Sequence, residues 1–142
     1  SQIRALVSSG IPVMGHVGFT PQSVNTLAGY KVQGRSEQDA ARILQECKDI
    51  EAAGAFAVVL EMIPAELARD ISQKLAIPTI GIGAGADCDG QILVWQDFAG
   101  LGTRSPKFAK QYLNLRQDLS AAATAFRNEV VAGEFPAPEQ QF

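Results

Sequence analysis

Several things are scarce in this chain, and each scarcity closes off a class of function. Its 12 Lys and Arg stand against 15 Asp and Glu, for a formal net charge of -3, and the two signs are interspersed. Without a basic stripe to neutralise phosphates, nucleic acid is not an expected partner. No apolar run approaches the roughly 20 residues that a membrane span needs, and the N-terminus lacks the basic region, apolar core and cleavage site of a signal peptide. A membrane is therefore not an expected partner, and the cytoplasm is the expected compartment. Two cysteines, Cys47 and Cys88, have no metal-binding spacing, and a reducing compartment would keep both as structural thiols. A full dinucleotide fingerprint is absent too, because Gly81-Ile-Gly83-Ala-Gly85 has the wrong spacing for one.

What is present is 142 residues of ordinary globular composition, 46% apolar and 19% charged, enough to bury one core. Short apolar runs alternate with helical periodicity, which predicts a parallel sheet of four βα units. The first expected strand is Ile11 to His16, with Thr20 and Pro21 suited to open a short helix and residues 29–34 reading as loop. Ser36 and Asp39 open a helix whose apolar face is Ala40, Ile43, Leu44, Cys47 and Ile50, ended by Gly54. Phe56 to Glu61 is apolar at nearly every position, as in a strand covered on both faces. A helix from Pro64 carrying Leu67, Ala68, Ile71 and Leu75 leads to a third strand, Pro78 to Gly83. The fourth strand is expected over Gln91 to Trp95. A long helix follows, with Phe108, Tyr112, Leu115, Leu119, Phe126 and Val130 on one side, then Gly133 and an extended tail over 134–142.

Four βα units suit either a small open sheet or half of a (β/α)8 barrel, which takes about 250 residues. Ile3, Ala5, Leu6 and Val7 look like the end of a helix with no strand before it, as a fragment would begin. Four barrel strands alone would leave two unpaired edges and an interior face toward water. The expectation is that residues 1–142 are the C-terminal half of one barrel domain, and that the chain expressed alone aggregates or pairs with a second copy.

The segment Gly10-Ile-Pro-Val-Met-Gly-His16-Val-Gly-Phe-Thr-Pro-Gln22-Ser resembles the ketopantoate hydroxymethyltransferase family. Tyr30 to Gly34, Gly54 to Glu61, Ile77 to Gly85 and Cys88 to Val94 follow the same pattern in order and together span nearly the whole chain. Phe19, where the family usually has leucine, and Met62 after the glutamate are small departures. The resemblance implies a (β/α)8 barrel of the phosphoenolpyruvate and pyruvate type. It also implies use of 5,10-methylenetetrahydrofolate to hydroxymethylate 3-methyl-2-oxobutanoate to 2-dehydropantoate, and assembly into a homo-oligomer, commonly a decamer. The family's Mg2+ ligands are carboxylates on early strands, where a lysine also helps hold the keto acid. That segment is not in this chain, so no metal ligand is assigned here. The chain alone is expected to be inactive and to need the N-terminal half as partner.

Such a reaction resembles an aldol addition. A proton leaves the carbon beside a ketone, and the enolate attacks an activated methylene; a divalent metal on the keto acid would hold the developing charge. A carboxylate then suffices as base. Glu61 ends an apolar strand, where a barrel places catalytic groups and where burial raises a carboxyl pKa toward the working pH. Capping the Pro64 helix or pairing with an arginine would explain a strand-end carboxylate equally well, and the resemblance favours the base. His16, the single histidine, is expected at the same mouth, in a structural or a substrate-bonding role. Ile82, Ile92 and Val94 alternate along the third and fourth strands and could line a pocket for the isopropyl group, or fill a barrel core. The glycines at 81, 83 and 85 suit close backbone approach to a ligand, or a tight turn. Asp87 and Asp89 flank Cys88, and bonding to solvent or to backbone suits them better than a metal. A non-catalytic half-barrel subunit and another keto-acid lyase of the same barrel type are the competing readings.

Overall fold

The computed structural model describes residues 2–23 and 31–142. It divides into two compact units, Ser1–Ile92 and Leu93–Phe142. The first holds α1 (Gln2–Ser8), β1 (Met14–Gly18), a 3-10 turn (Pro21–Ser23), α2 (Glu37–Ala52), β2 (Ala57–Glu61), α3 (Ala65–Lys74), β3 (Thr79–Ile82) and β4 (Gly90–Gln91). The second holds α4 (Trp95–Phe98), α5 (Leu115–Ala132) and a 3-10 turn (Pro138–Gln140).

The four strands form one sheet in the order β1-β2-β3-β4, every neighbouring pair parallel. The chain is thus α/β, as its alternating pattern predicts. Helix α2 starts where expected: the Ser36 side chain accepts from the Asp39 N–H at 3.2 Å. Its chain reverses at Gly54, whose φ is 94°. Ile43 and Cys47 of α2 and Ala68 and Ile71 of α3 bury themselves against Val17, Val58 and Leu60, together with Ile63 and Ala84. Burial pushes the Cys47 thiol up to about 12, so it packs as a small apolar group. Both helices therefore lie on one face of the sheet. Strand order without reversal and helices on a single face is the winding of a barrel wall, whereas a doubly wound open sheet carries helices on both faces.

The structure revises several boundaries. β1 runs Met14–Gly18 rather than Ile11 to His16, since Ile11 and Val13 precede the ladder with β2. β4 is only Gly90–Gln91. The apolar run expected to continue it turns at Val94, which caps α4, so Trp95 begins a helix instead of ending a strand. The expected long helix begins only at Leu115, because the Tyr112 N–H bonds the Phe98 carbonyl (2.8 Å) and Asn114 caps by accepting from the Gln117 N–H. Phe108 and Tyr112 are therefore not helical. The tail over 134–142 is not wholly extended but contains the turn Pro138–Gln140. Any continuation of the helix expected from Pro21, and residues 29 and 30 of the expected loop, lie outside the described residues.

Candidate active site

In the register of β1 on β2, His16 pairs with Val59 and Gly18 with Glu61, while β3 places Ile80 beside Val59 and Ile82 beside Glu61. Side chains alternate along a strand, so His16, Val59, Glu61, Ile80 and Ile82 all project from the face opposite α2 and α3. That shared face lets His16 Nε2 and Glu61 Oε2 meet at 2.9 Å, across two strands and 45 residues of sequence. The side chain of Glu61 is 12% exposed and that of His16 is 32% exposed. Burial pushes the Glu61 carboxyl above the usual carboxylate range, and the nearby His16 ring pulls partly the other way. The direction suits a proton acceptor, and neither alternative for Glu61 is adopted: its partner is neither an arginine nor the α3 N-terminus.

The backbone around Glu61 is held from both neighbouring strands. Its carbonyl accepts the Phe19 N–H at 2.8 Å, and the next N–H, that of Met62, donates to the Ile82 carbonyl at 2.9 Å. The Met62 carbonyl in turn accepts the Gln33 N–H at 2.9 Å. Gly18, at φ 90°, faces the Glu61 carbonyl so closely that a Cβ there would collide with it. Met62 has φ 48°, a left-handed conformation that costs a non-glycine residue roughly 1–2 kcal/mol. Gly18, Phe19 and Met62 are the site residues that sequence reasoning missed. The glycine after the histidine in the first motif was the one available signal.

A family model described as Ketopantoate hydroxymethyltransferase matches residues 1–138. The chain belongs to that family. Among curated relatives, a 3-methyl-2-oxobutanoate hydroxymethyltransferase of Thermobifida fusca is 57% identical over 142 residues, which is 100% of this chain and 51% of the relative. Proteins of the same name from Paracoccus denitrificans and Streptomyces coelicolor are 59% and 58% identical, covering 99% and 97% of the chain and 51% and 47% of their own lengths. The chain thus spans about half the length of the curated relatives it matches.

Three residues were expected to line the pocket of a family member. Ile82 is 7% exposed and sits beside Glu61 on the same face. Ile92 lies one residue past β4, its N–H bonded to the Gly81 carbonyl at 3.0 Å, and is exposed. Val94 is not on a strand but caps α4 in the second unit, so the alternation expected to carry it into line with Ile82 ends before it. Two of the three glycines have packing reasons: a Cβ at Gly81 would meet Cys88 Sγ at 3.0 Å, and one at Gly85 would meet the Ala65 Cβ of α3 at 2.5 Å, while Gly83 turns at φ 64°. Asp89 accepts from the Thr79 N–H and hydroxyl, at 2.8 and 2.9 Å, at the strand end away from Glu61. Among the described residues no group of three or more His, Cys, Asp or Glu could hold a metal ion.

Proposed function

We propose that this chain supplies the base-bearing half of an enzyme that transfers a hydroxymethyl group from 5,10-methylenetetrahydrofolate to 3-methyl-2-oxobutanoate, giving 2-dehydropantoate. The observation that carries the reading is the Glu61–His16 pair at 2.9 Å on adjacent parallel strands of a family member. In this mechanism Glu61 takes the proton from the carbon next to the ketone. His16 occupies only Oε2, leaving Oε1 as the accepting oxygen, and holds the carboxylate in one rotamer. Once Oε1 is protonated, Oε2 is the carbonyl oxygen of the acid and still accepts from a His16 Nε2–H, so the pair keeps its bond through the proton transfer. This gives His16 a positioning role, distinct from the structural and the substrate-bonding roles expected from sequence. Ile82, beside Glu61 on the same face, is the proposed apolar lining for the isopropyl group, with Ile92 just beyond β4.

The winding of the sheet supports the barrel reading. Residues 1–142 would form the C-terminal half of a single eight-stranded domain, closed by an N-terminal half that covers the face carrying His16 and Glu61. Magnesium belongs to the proposal only through residues outside this chain, because the described side chains do not make a site for it. The complete protein is proposed to be a cytoplasmic homo-oligomer, a decamer by analogy with the family. No helix of the described residues is long and apolar enough to cross a membrane.

The test is Glu61→Gln in the full-length protein, assayed for product formation and, separately, for keto-acid binding. Turnover should fall roughly 100-fold or more while binding is retained, as expected when a general base is removed. Near-normal turnover would remove Glu61 from the mechanism.

A further inference from the structure

Directly after Glu61 the chain does something regular alternation forbids. In an uninterrupted strand Glu61 and Ile63 would share a face. Here Glu61 projects toward His16, whereas Ile63 is 3% exposed and packs in the core with Leu60, Ala68 and Ile71, on the opposite face. The residue between them is the one non-glycine residue of the described chain at positive φ, Met62 at 48°. Both its peptide groups are tied, its N–H to the Ile82 carbonyl and its carbonyl to the Gln33 N–H, each at 2.9 Å. The left-handed residue reverses the parity of the strand, so that an anchoring isoleucine and a working carboxylate can stand two positions apart on opposite sides of the sheet.

We propose that the left-handed backbone of Met62, rather than its side chain, is a positioning device that fixes the Glu61 carboxylate against His16 and toward the substrate. Anchored by Ile63 in the core and by two backbone bonds, the turn leaves the Glu61 Cα–Cβ vector little freedom. Without it, either Ile63 leaves the core or Glu61 rotates off the face that carries His16. The proposal rests on the reading of Glu61 as base, and its test separates the two.

The experiment compares Met62→Gly, Met62→Asn and Met62→Val in the full-length enzyme, with folding checked by circular dichroism and Glu61→Gln as control. Glycine and asparagine enter the left-handed region readily, while a β-branched residue resists it. The expected result is a kcat within about threefold of the parent for glycine and asparagine, and a loss of roughly 10- to 100-fold for valine with KM little changed, as when a reacting group is misplaced by about 1 Å. The split between kcat and KM, and recovery by two residues that share only a backbone preference, are readouts that a purely structural role would not produce. If folded Met62→Val keeps its kcat, the proposal is overturned. It is equally overturned if glycine and asparagine each lose more than tenfold, a result that stands even where valine prevents folding. A Glu61→Gln control with near-normal turnover would remove the base itself, and the positioning argument with it. A strong Glu61→Gln defect beside an active Met62→Val would overturn the positioning alone.

Discussion

Thr79→Val keeps the shape of a fully buried side chain and removes only its hydroxyl. That hydroxyl lies 2.7 Å from Ser72 Oγ, donates to Asp89 Oδ2 at 2.9 Å and accepts the Asp89 N–H at 3.3 Å. A hydrogen bond to a charged group contributes roughly 1.5–3 kcal/mol, and the exposure of the Asp89 side chain puts this one at the low end. Ser72 loses little, because it can donate to the Ala68 carbonyl at 2.9 Å instead. Adding about 0.5–1 kcal/mol for the longer bond from the Asp89 N–H and crediting about 0.8 kcal/mol for the methyl group gained, the net cost is about 1.5 kcal/mol, which is about tenfold in an equilibrium constant. Hydrogen exchange of the β3 amides in the full-length protein should therefore quicken about tenfold at neutral pH. Acid supplies a check on the cause. Thr79, through its N–H first and its hydroxyl second, holds the Asp89 carboxyl below the usual range. The stabilisation is thus present above the unfolded carboxyl's pKa and is lost as pH falls through the lower folded value, so the gap between parent and variant should narrow in that acidic window. Thr79 pairs with Val58, three residues before Glu61, or about 10 Å away along the strand, so turnover of the folded variant should be unchanged. Protection within twofold of the parent at neutral pH would refute the hydrogen-bond argument, and a turnover loss at full folding would refute the separation of the two strand ends.

Glu51→Ala should lower stability by about 1–2 kcal/mol, since Glu51 Oε1 accepts the N–H groups of Ala76 and Ile77 at 2.6 and 3.1 Å where the chain enters β3. A melting temperature unchanged within 1 °C, by an approximate size scaling of ~2–4 °C per kcal/mol, would show these bonds to be replaced by water. His16→Phe should move the acidic limb of kcat/KM to higher pH. The base works when ionised, burial already raises its pKa, and the substitution removes the group that opposes that rise. An unmoved or lowered limb in the pH-rate profile would mean that the two side chains do not interact during turnover.

The first unit was legible in sequence because its signals are local. Phe56 to Glu61 is too apolar for anything but a buried strand, and Ser36 with Asp39 marks a helix start that the Ser36 side chain then caps. The second unit was misread because three- and four-residue spacing persists through Phe108 and Tyr112, where the backbone bonds instead to Phe98. Asn114, whose side chain accepts from the Gln117 N–H, was the cap that should have stopped the helix there. β4 was overextended for a different reason: Ile92, Leu93 and Val94 have strand composition, but among the described residues β3 alone pairs with β4, and its ladder ends at Gln91.

The meeting of His16 with Glu61 could not be read from spacing, because it depends on register. One residue of slip between β1 and β2 would turn His16 toward Ile43 and Cys47, into a core with no polar partner for it. Two features oppose that slip. Val17 is 5% exposed and must face the helices, which fixes the parity of β1. Gly18 then has to lie opposite Glu61, because any side chain elsewhere in its place would strike the Glu61 carbonyl that receives the Phe19 N–H. An apolar residue on one side and a missing Cβ on the other thus set the register, and the register sets the pair. The glycine two positions after the histidine is for this reason part of the site although it has no side chain to offer, and the chemistry proposed for Glu61 depends on it as much as on the ring it bonds.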